Sequence, residues 1–197
     1  MNENDYNKNA DDFHKDYLAK LQGFNESFNY MREMSGLMAL MNIQKDELVL
    51  DYGAGLGTMR DFLDVHTDGR IYAFDVHENY YQGDPDFFKN VLHFHLDKIY
   101  FMHSIAHIPD PESVIRNLAD KFMKNDSEIW ILTPNANYLD SHKAPKGWKP
   151  DPTVVEHFSD DTLQEMIFKA GAETTTIHTE PDAERIILSA KFNPLTS

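Results

Sequence analysis

The sequence contains no cysteine. Disulfides, a thiolate nucleophile and cysteine-based zinc sites are therefore excluded. No apolar run approaches the roughly 20 residues that a membrane-spanning helix needs. Residues 1–12 are polar and acidic and lack the apolar core of a secretory signal. Basic residues are scarce: 18 lysines and arginines stand against 33 aspartates and glutamates, a net charge of -15. Phosphate backbones require a basic surface, so unaided binding of nucleic acid is not expected. The expected setting is cytoplasmic and away from membranes, with the oligomeric state open. Glycine is also sparse, at nine residues, so a place where glycines cluster carries information.

With 197 residues and 41% hydrophobic content, the chain suits one domain with a sizeable core. Residues 1–12 are expected to form a flexible tail, and residues 13–197 a single domain.

The glycines cluster at Asp51-Tyr-Gly-Ala-Gly-Leu-Gly-Thr58. Leu48 to Leu50 form the short apolar run of a buried parallel strand. Gly53, Gly55 and Gly57 then remove side chains where a ligand could approach the backbone, with Ala54 between them. Thr58 is placed to cap the following helix, with Asp61 three residues on. The spacing is G-x-G-x-G, not the G-x-G-x-x-G on which a dinucleotide pyrophosphate rests. Asp51 would repel a pyrophosphate and suits a cationic group such as an amino acid ammonium. A second strand follows at residues 70–74 and ends at Asp75. An acid about 20 residues beyond the glycines can accept two ribose hydroxyls.

The run hydrophobic-hydrophobic-Asp-hydrophobic-Gly-x-Gly-x-Gly resembles motif I of class I S-adenosylmethionine (SAM) dependent methyltransferases. A second resemblance lies at Asp97-Lys-Ile-Tyr-Phe-Met-His-Ser-Ile-Ala-His-Ile-Pro-Asp-Pro111. It is similar to the strand and Glu-His-x-x-Asp-Pro turn of small-molecule members, with Ala106 in place of Glu. Thr133-Pro134-Asn135 and the His157-Phe158-Ser159 entry to the last helix are similar to the same group. The resemblance covers about residues 45–192. It implies a Rossmann-like α/β sandwich: a mostly parallel sheet, a C-terminal antiparallel hairpin, and N-terminal helices over the cofactor mouth. It implies SAM as cofactor, S-adenosylhomocysteine (SAH) as product and a small-molecule acceptor, with oxygen the acceptor atom considered first. The alternative is a catalytically inactive methyltransferase-like module that binds SAM or a partner. The implied cofactor contacts are Asp51, Gly53, Ala54, Gly55, Gly57, Asp75, Val76 and His103, with Asp84 as the candidate at the adenine.

The family's third strand is expected to be missing or displaced. It belongs at the sheet edge, about three strand spacings of ~4.8 Å from the fourth. A parallel crossover needs a dozen or more residues, which Leu96 and Asp97 do not supply. Residues 91–102 are therefore expected to be one extended segment, reached by a crossover at residues 78–89.

Elsewhere, helices are expected within residues 15–41, broken near Gly23 and Asn25. The methionine stripe Met31, Met34, Met38 and Met41 is read as core packing, with a substrate pocket as the other reading. Asp110 should cap the helix that Pro111 opens. Asn125 and Asp126 should turn the chain, and residues 136–152 should form a long loop. Ser159 should cap a helix ended by Gly171. His93, His95 and Asp97 share one strand face, but without further ligands they are read as partly buried or solvated, and no metal site is expected.

His103 and His107 flank the end of the strand after residue 97, beside the cleft of an open α/β sheet. A histidine near neutral pH can take a proton from an oxygen nucleophile. His103 is the first candidate for base or substrate contact. His107 is a candidate base or a structural contact, and His157 a third candidate.

Overall fold

The computed structural model describes residues 24–76, 95–140, 151, 153–181 and 183–193. Helix α1 (Phe24–Met41) leads into strand β1 (Leu48–Tyr52), helix α2 (Thr58–His66) and strand β2 (Arg70–Phe74). After residues 77–94 come β3 (Leu96–Met102), a 3-10 turn (Ile105–His107), α3 (Pro111–Phe122), β4 (Met123–Pro134) and α4 (Ala136–Asp140). The chain closes with α5 (Asp160–Lys169), β5 (Thr174–Ile177) and β6 (Arg185–Phe192).

These strands form one sheet in the order β2-β1-β3-β4-β6-β5. β1 to β4 are parallel, whereas β6 runs antiparallel between β4 and β5. This is the expected mostly parallel sheet with a C-terminal hairpin. Beyond β2 the described residues add no further strand. The predicted crossover lies outside them, as does the extended segment up to residue 94; His95 is exposed and leads directly into β3.

Strand alternation sends side chains to two helical layers. Leu50, Ile99, Phe101, Ile129 and Ile131 pack with Ile115, Leu118, Leu163 and Ile167 of α3 and α5. Val49, Tyr100, Met102 and Leu132 pack with Met34, Leu37, Met41 and Leu63 of α1 and α2. Fully burying each such apolar side chain stabilises the fold by about 2 kcal/mol. The methionine stripe is thus core packing at Met34 and Met41, while Phe28 and Met31 on the first turns of α1 remain exposed. Asn25 is the second residue of α1, and the expected break at Gly23 lies outside the described residues.

Three local expectations need correcting. Gly57, not Thr58, is the N-cap of α2; it adopts left-handed backbone at φ 76 and Thr58 is already helical. Asn125 and Asp126 do not separate helix from strand. β4 begins at Met123, paired with Leu96, and exposed residues 124–126 bulge out before Ser127 pairs with Phe192 and Glu128 with Lys98. Ser127 Oγ closes the bulge by donating to the Leu96 carbonyl and accepting the Lys124 N–H. Finally, the loop predicted from residue 136 opens with the short helix α4. The Asp110 and Ser159 caps are as expected, each side chain accepting an N–H of its own helix.

Asp97 takes a structural role. Its carboxylate accepts the Leu48 N–H at 2.9 Å and pairs with Lys124 at the amino end of the sheet. Beside it, buried Lys98 pairs with Glu47 at 2.7 Å and lies 3.8 Å from Glu128, which also accepts the Trp130 indole N–H. Removing one member of a buried pair strands the other charges. Lys98→Ala should therefore cost about 3 kcal/mol in urea unfolding. A loss below about 1 kcal/mol would show that water screens the pair as it does at a surface.

Candidate active site

The turn after β1 is tied to the end of β2. The Phe74 carbonyl accepts the N–H groups of Gly53 at 2.8 Å and Ala54 at 3.0 Å. Asp75 Oδ2 accepts the Gly55 N–H at 2.8 Å, and the Ala54 carbonyl accepts that of Gly57 at 2.8 Å. These donors are spent inside the protein. The turn therefore does not offer the open array of N–H groups with which a pyrophosphate-binding loop holds its anion.

The glycines serve different ends. Gly53 has φ 79, and a Cβ there would stand 2.4 Å from Ser104 Cβ. Its bareness admits Ser104, whose Oγ donates to the Tyr52 carbonyl at 2.6 Å. Gly55, at φ 54, faces open space: no described atom lies within 4 Å of where its Cβ would be. Among the described residues, the unfilled space at the turn is thus above Gly55.

Asp51 and Asp75 lie at the carboxyl ends of neighbouring strands. Asp51 is 1% exposed, and its Oδ2 has no hydrogen-bond partner among the described residues. Burial raises its pKa to about 7, helped by the Asp75 charge and opposed by Tyr100 and the Arg60 backbone. The Tyr100 hydroxyl is buried nearby, but it too lacks a partner of good geometry. Asp75 is half-buried at the rim, and Val76 beyond it is exposed. Asp84 lies outside the described residues.

The second half of the site is a polar corner at the end of β3. His103 has left-handed backbone at φ 59, which breaks the strand's alternation, and its N–H donates to the Leu132 carbonyl at 2.7 Å. The His103 Nε2 is 2.8 Å from Glu33 Oε2 on α1. The other Glu33 oxygen accepts from Arg185 Nε at 3.2 Å, at the start of β6. Burial pushes the Glu33 carboxyl up, but His103 and Arg185 outweigh it and hold the pKa below the ordinary value.

His107 faces another way. Its Nδ1 is 2.8 Å from Thr153 Oγ1, which donates to Asp151 Oδ1 at 2.6 Å. Burial pulls the His107 pKa down, against the pull of Asp151. These contacts tie the 3-10 turn to the segment at residues 151–153. His157 is exposed. In Thr133-Pro134-Asn135, Thr133 Oγ1 and Asn135 Nδ2 are buried without a partner among the described residues. No three His, Asp or Glu side chains among the described residues gather as metal ligands, and no described helix is long and apolar enough to cross a membrane.

Glu33, Ser104, Asp151, Thr153 and Arg185 were not foreseen. Glu33 is a charged residue inside an apolar helical stripe, a pattern that as often marks a solvated edge. The others carry no motif.

A parallel sheet ending in an antiparallel hairpin, with a glycine turn after the first strand and an acid after the second, is the fold of SAM-dependent methyltransferases. A SAM-dependent methyltransferase from Thermotoga maritima superposes with a TM-score of 0.66 at 12% identity, covering 94% of this chain and 99% of that one. One from Archaeoglobus fulgidus gives 0.63 at 18%, covering 89% and 98%. Magnesium protoporphyrin IX methyltransferase from Synechocystis, crystallised with SAH, gives 0.59 at 15%, covering 87% and 88%. Residues 25–177 match the family model described as a methyltransferase domain, and the chain belongs to that family. No curated protein matches the sequence significantly.

Two measurements test the turn. Gly53→Ala should lose at least about 2 kcal/mol in urea unfolding, because Ser104 must move and the left-handed backbone is strained. Gly55→Ala bears the backbone strain alone, about 1 kcal/mol. Equal losses would show that Ser104 yields freely.

Asp51 predicts a pH dependence. With a pKa of about 7 in the folded state against 3.8 unfolded, its carboxyl is neutral in both states below the lower value. As pH rises toward the higher value, the folded protein keeps a proton that the unfolded chain releases, so stability falls. Asp51→Asn should remove that decline, visible as a flatter urea midpoint between about pH 4 and 7. Parallel curves for the two proteins would show that Asp51 is compensated.

Proposed function

We propose that the protein binds SAM above the glycine turn and transfers its methyl group to the oxygen of a small-molecule acceptor. The observation that carries the reading is a glycine turn with the N–H groups of Gly53, Ala54, Gly55 and Gly57 already satisfied, set between a buried carboxyl with one unpartnered oxygen and a rim carboxylate. Such a turn spends inside the protein the donors that a phosphate loop offers its anion, and the two acids favour a cation. Gly55 leaves space for the amino acid portion, Asp75 accepts from the ribose hydroxyls, and Asp51, which burial keeps protonated up to about pH 7, gives up its proton as an ammonium or sulfonium arrives. Gly53, Ala54, Gly57 and Val76 shape the turn and its rim.

SAM, when bound, supplies a methyl already activated on a sulfonium. The protein's remaining tasks are to align the acceptor and keep water out. His103 lies at the carboxyl end of β3 and takes the proton that an acceptor hydroxyl gives up. His107 is read as an anchor for the segment at residues 151–153, since its contacts run to Thr153 and Asp151. His157 is the more distant candidate for acceptor contact. The magnesium protoporphyrin neighbour acts on a small molecule, which agrees with this choice of acceptor class.

Titration calorimetry with SAM and with SAH tests the reading. Both should bind, and Asp75→Ala should weaken SAH by more than about tenfold, the loss expected when a charged hydrogen-bond acceptor is removed. Binding of neither at millimolar concentration would overturn it. Labelled-methyl transfer from SAM to a panel of phenols and other small hydroxyl compounds then separates an enzyme from a cofactor-binding module.

A further inference from the structure

We infer that Glu33, held by Arg185, is a positioning residue that locks His103 in one tautomer and presents its Nδ1 lone pair to the acceptor. The inference deepens the proposed role of His103 and rests on that reading for its catalytic meaning.

Three observations carry it. First, Glu33 Oε2 lies 2.8 Å from His103 Nε2. An ionised carboxylate only accepts hydrogen bonds, so Nε2 carries the proton and Nδ1 is left unprotonated in the neutral ring. Second, Glu33 is itself fixed. Its Oε1 accepts from Arg185 Nε at 3.2 Å, and Arg185 is braced by Glu184 at 3.0 Å. The carboxylate is mostly buried, with 19% of its side chain exposed, so a counter-cation is required to keep it ionised. Third, His103 is one of few non-glycine residues with left-handed backbone. That conformation is unfavourable away from glycine and persists where surrounding contacts enforce it. Here the N–H bond to the Leu132 carbonyl and the side-chain bond to Glu33 enforce it from opposite sides.

The proton and methyl balance is simple. As the acceptor oxygen gains the methyl, its O–H bond breaks and Nδ1 takes the proton. The electron pair of the broken S–CH3 bond stays on sulfur, giving SAH. The resulting imidazolium faces the Glu33 carboxylate, which stabilises it without accepting its proton, as a carboxylate does behind a catalytic imidazole. No further reactant is needed. His107 is set apart by its surroundings: its Nδ1 is 2.8 Å from Thr153 and its Nε2 is 3.9 Å from Asp151, so both ring nitrogens face the segment at residues 151–153.

Nitrogen-15 spectra of the histidine rings in the full chain test the lock directly. In the wild type above neutral pH, His103, assigned by comparison with His103→Asn, should be the Nε2–H tautomer. Glu33→Ala should raise the Nδ1–H form to a readily detected share. If that variant does not fold, Glu33→Gln serves. Its amide can present an N–H to Nε2 and should move the ring the same way. An unchanged tautomer in a folded variant, or a wild-type ring already mixed, overturns the inference. SAH affinity separates this outcome from the parent reading. Glu33 does not touch the glycine turn, so its replacement should change SAH binding by less than about twofold. A wild type that binds no SAH would sink the methyl-transfer reading while leaving the tautomer result to be judged on its own.

Discussion

The site depends on how closely two turns approach each other. Ser104, after β3, sits where a side chain on Gly53, after β1, would have to be, and its hydroxyl is bonded to the Tyr52 carbonyl. Because the Phe74 carbonyl also gathers the N–H groups of Gly53 and Ala54, the ends of three parallel strands are laced into one rim. The strands alone would align only their backbones. The lacing fixes the turns after β1 and β3 against each other and against the end of β2.

The charge pattern follows the same division. The excess of acids is mostly a solvated surface, whereas the few buried charges are handled individually. Lys98 is enclosed by Glu47 and Glu128, and Glu33 is clasped by His103 and Arg185. Asp51 is the exception, buried with one oxygen unpartnered. Burial and the nearby Asp75 charge leave its carboxyl holding a proton up to about pH 7, against the pull of Tyr100 and the Arg60 backbone.

Much of the architecture was legible because local chemistry and fold agree. The apolar run at Leu48 to Leu50, the acid closing β2, the Asp110-Pro111 and Ser159 caps, and the final hairpin each combine a pattern with its physical cause. The misses share a different cause. Thr58 looked like a cap, but the left-handed backbone of Gly57 had already started the helix. Asn125 and Asp126 looked like a turn, but tertiary pairing of Met123 with Leu96 absorbed them into a bulge. Gly53 was read for ligand approach, and the packing of Ser104 against it, 2.4 Å from where a Cβ would stand, left no trace in the sequence. Glu33 and Arg185 were invisible because their partnership spans 152 positions and leaves no local trace.

The reversed direction of β6 has a consequence for assembly. Parallel strands deliver only their final residues to the working rim, so a residue at the start of a strand reaches it only if that strand runs backwards. Arg185 arrives by this route, opposite the end of β4. During synthesis His103 and Glu33 leave the ribosome well before Arg185 does. Until Arg185 has been made, Glu33 can have only His103 of its two charged partners, so the corner is completed by a residue 152 positions downstream of the acid.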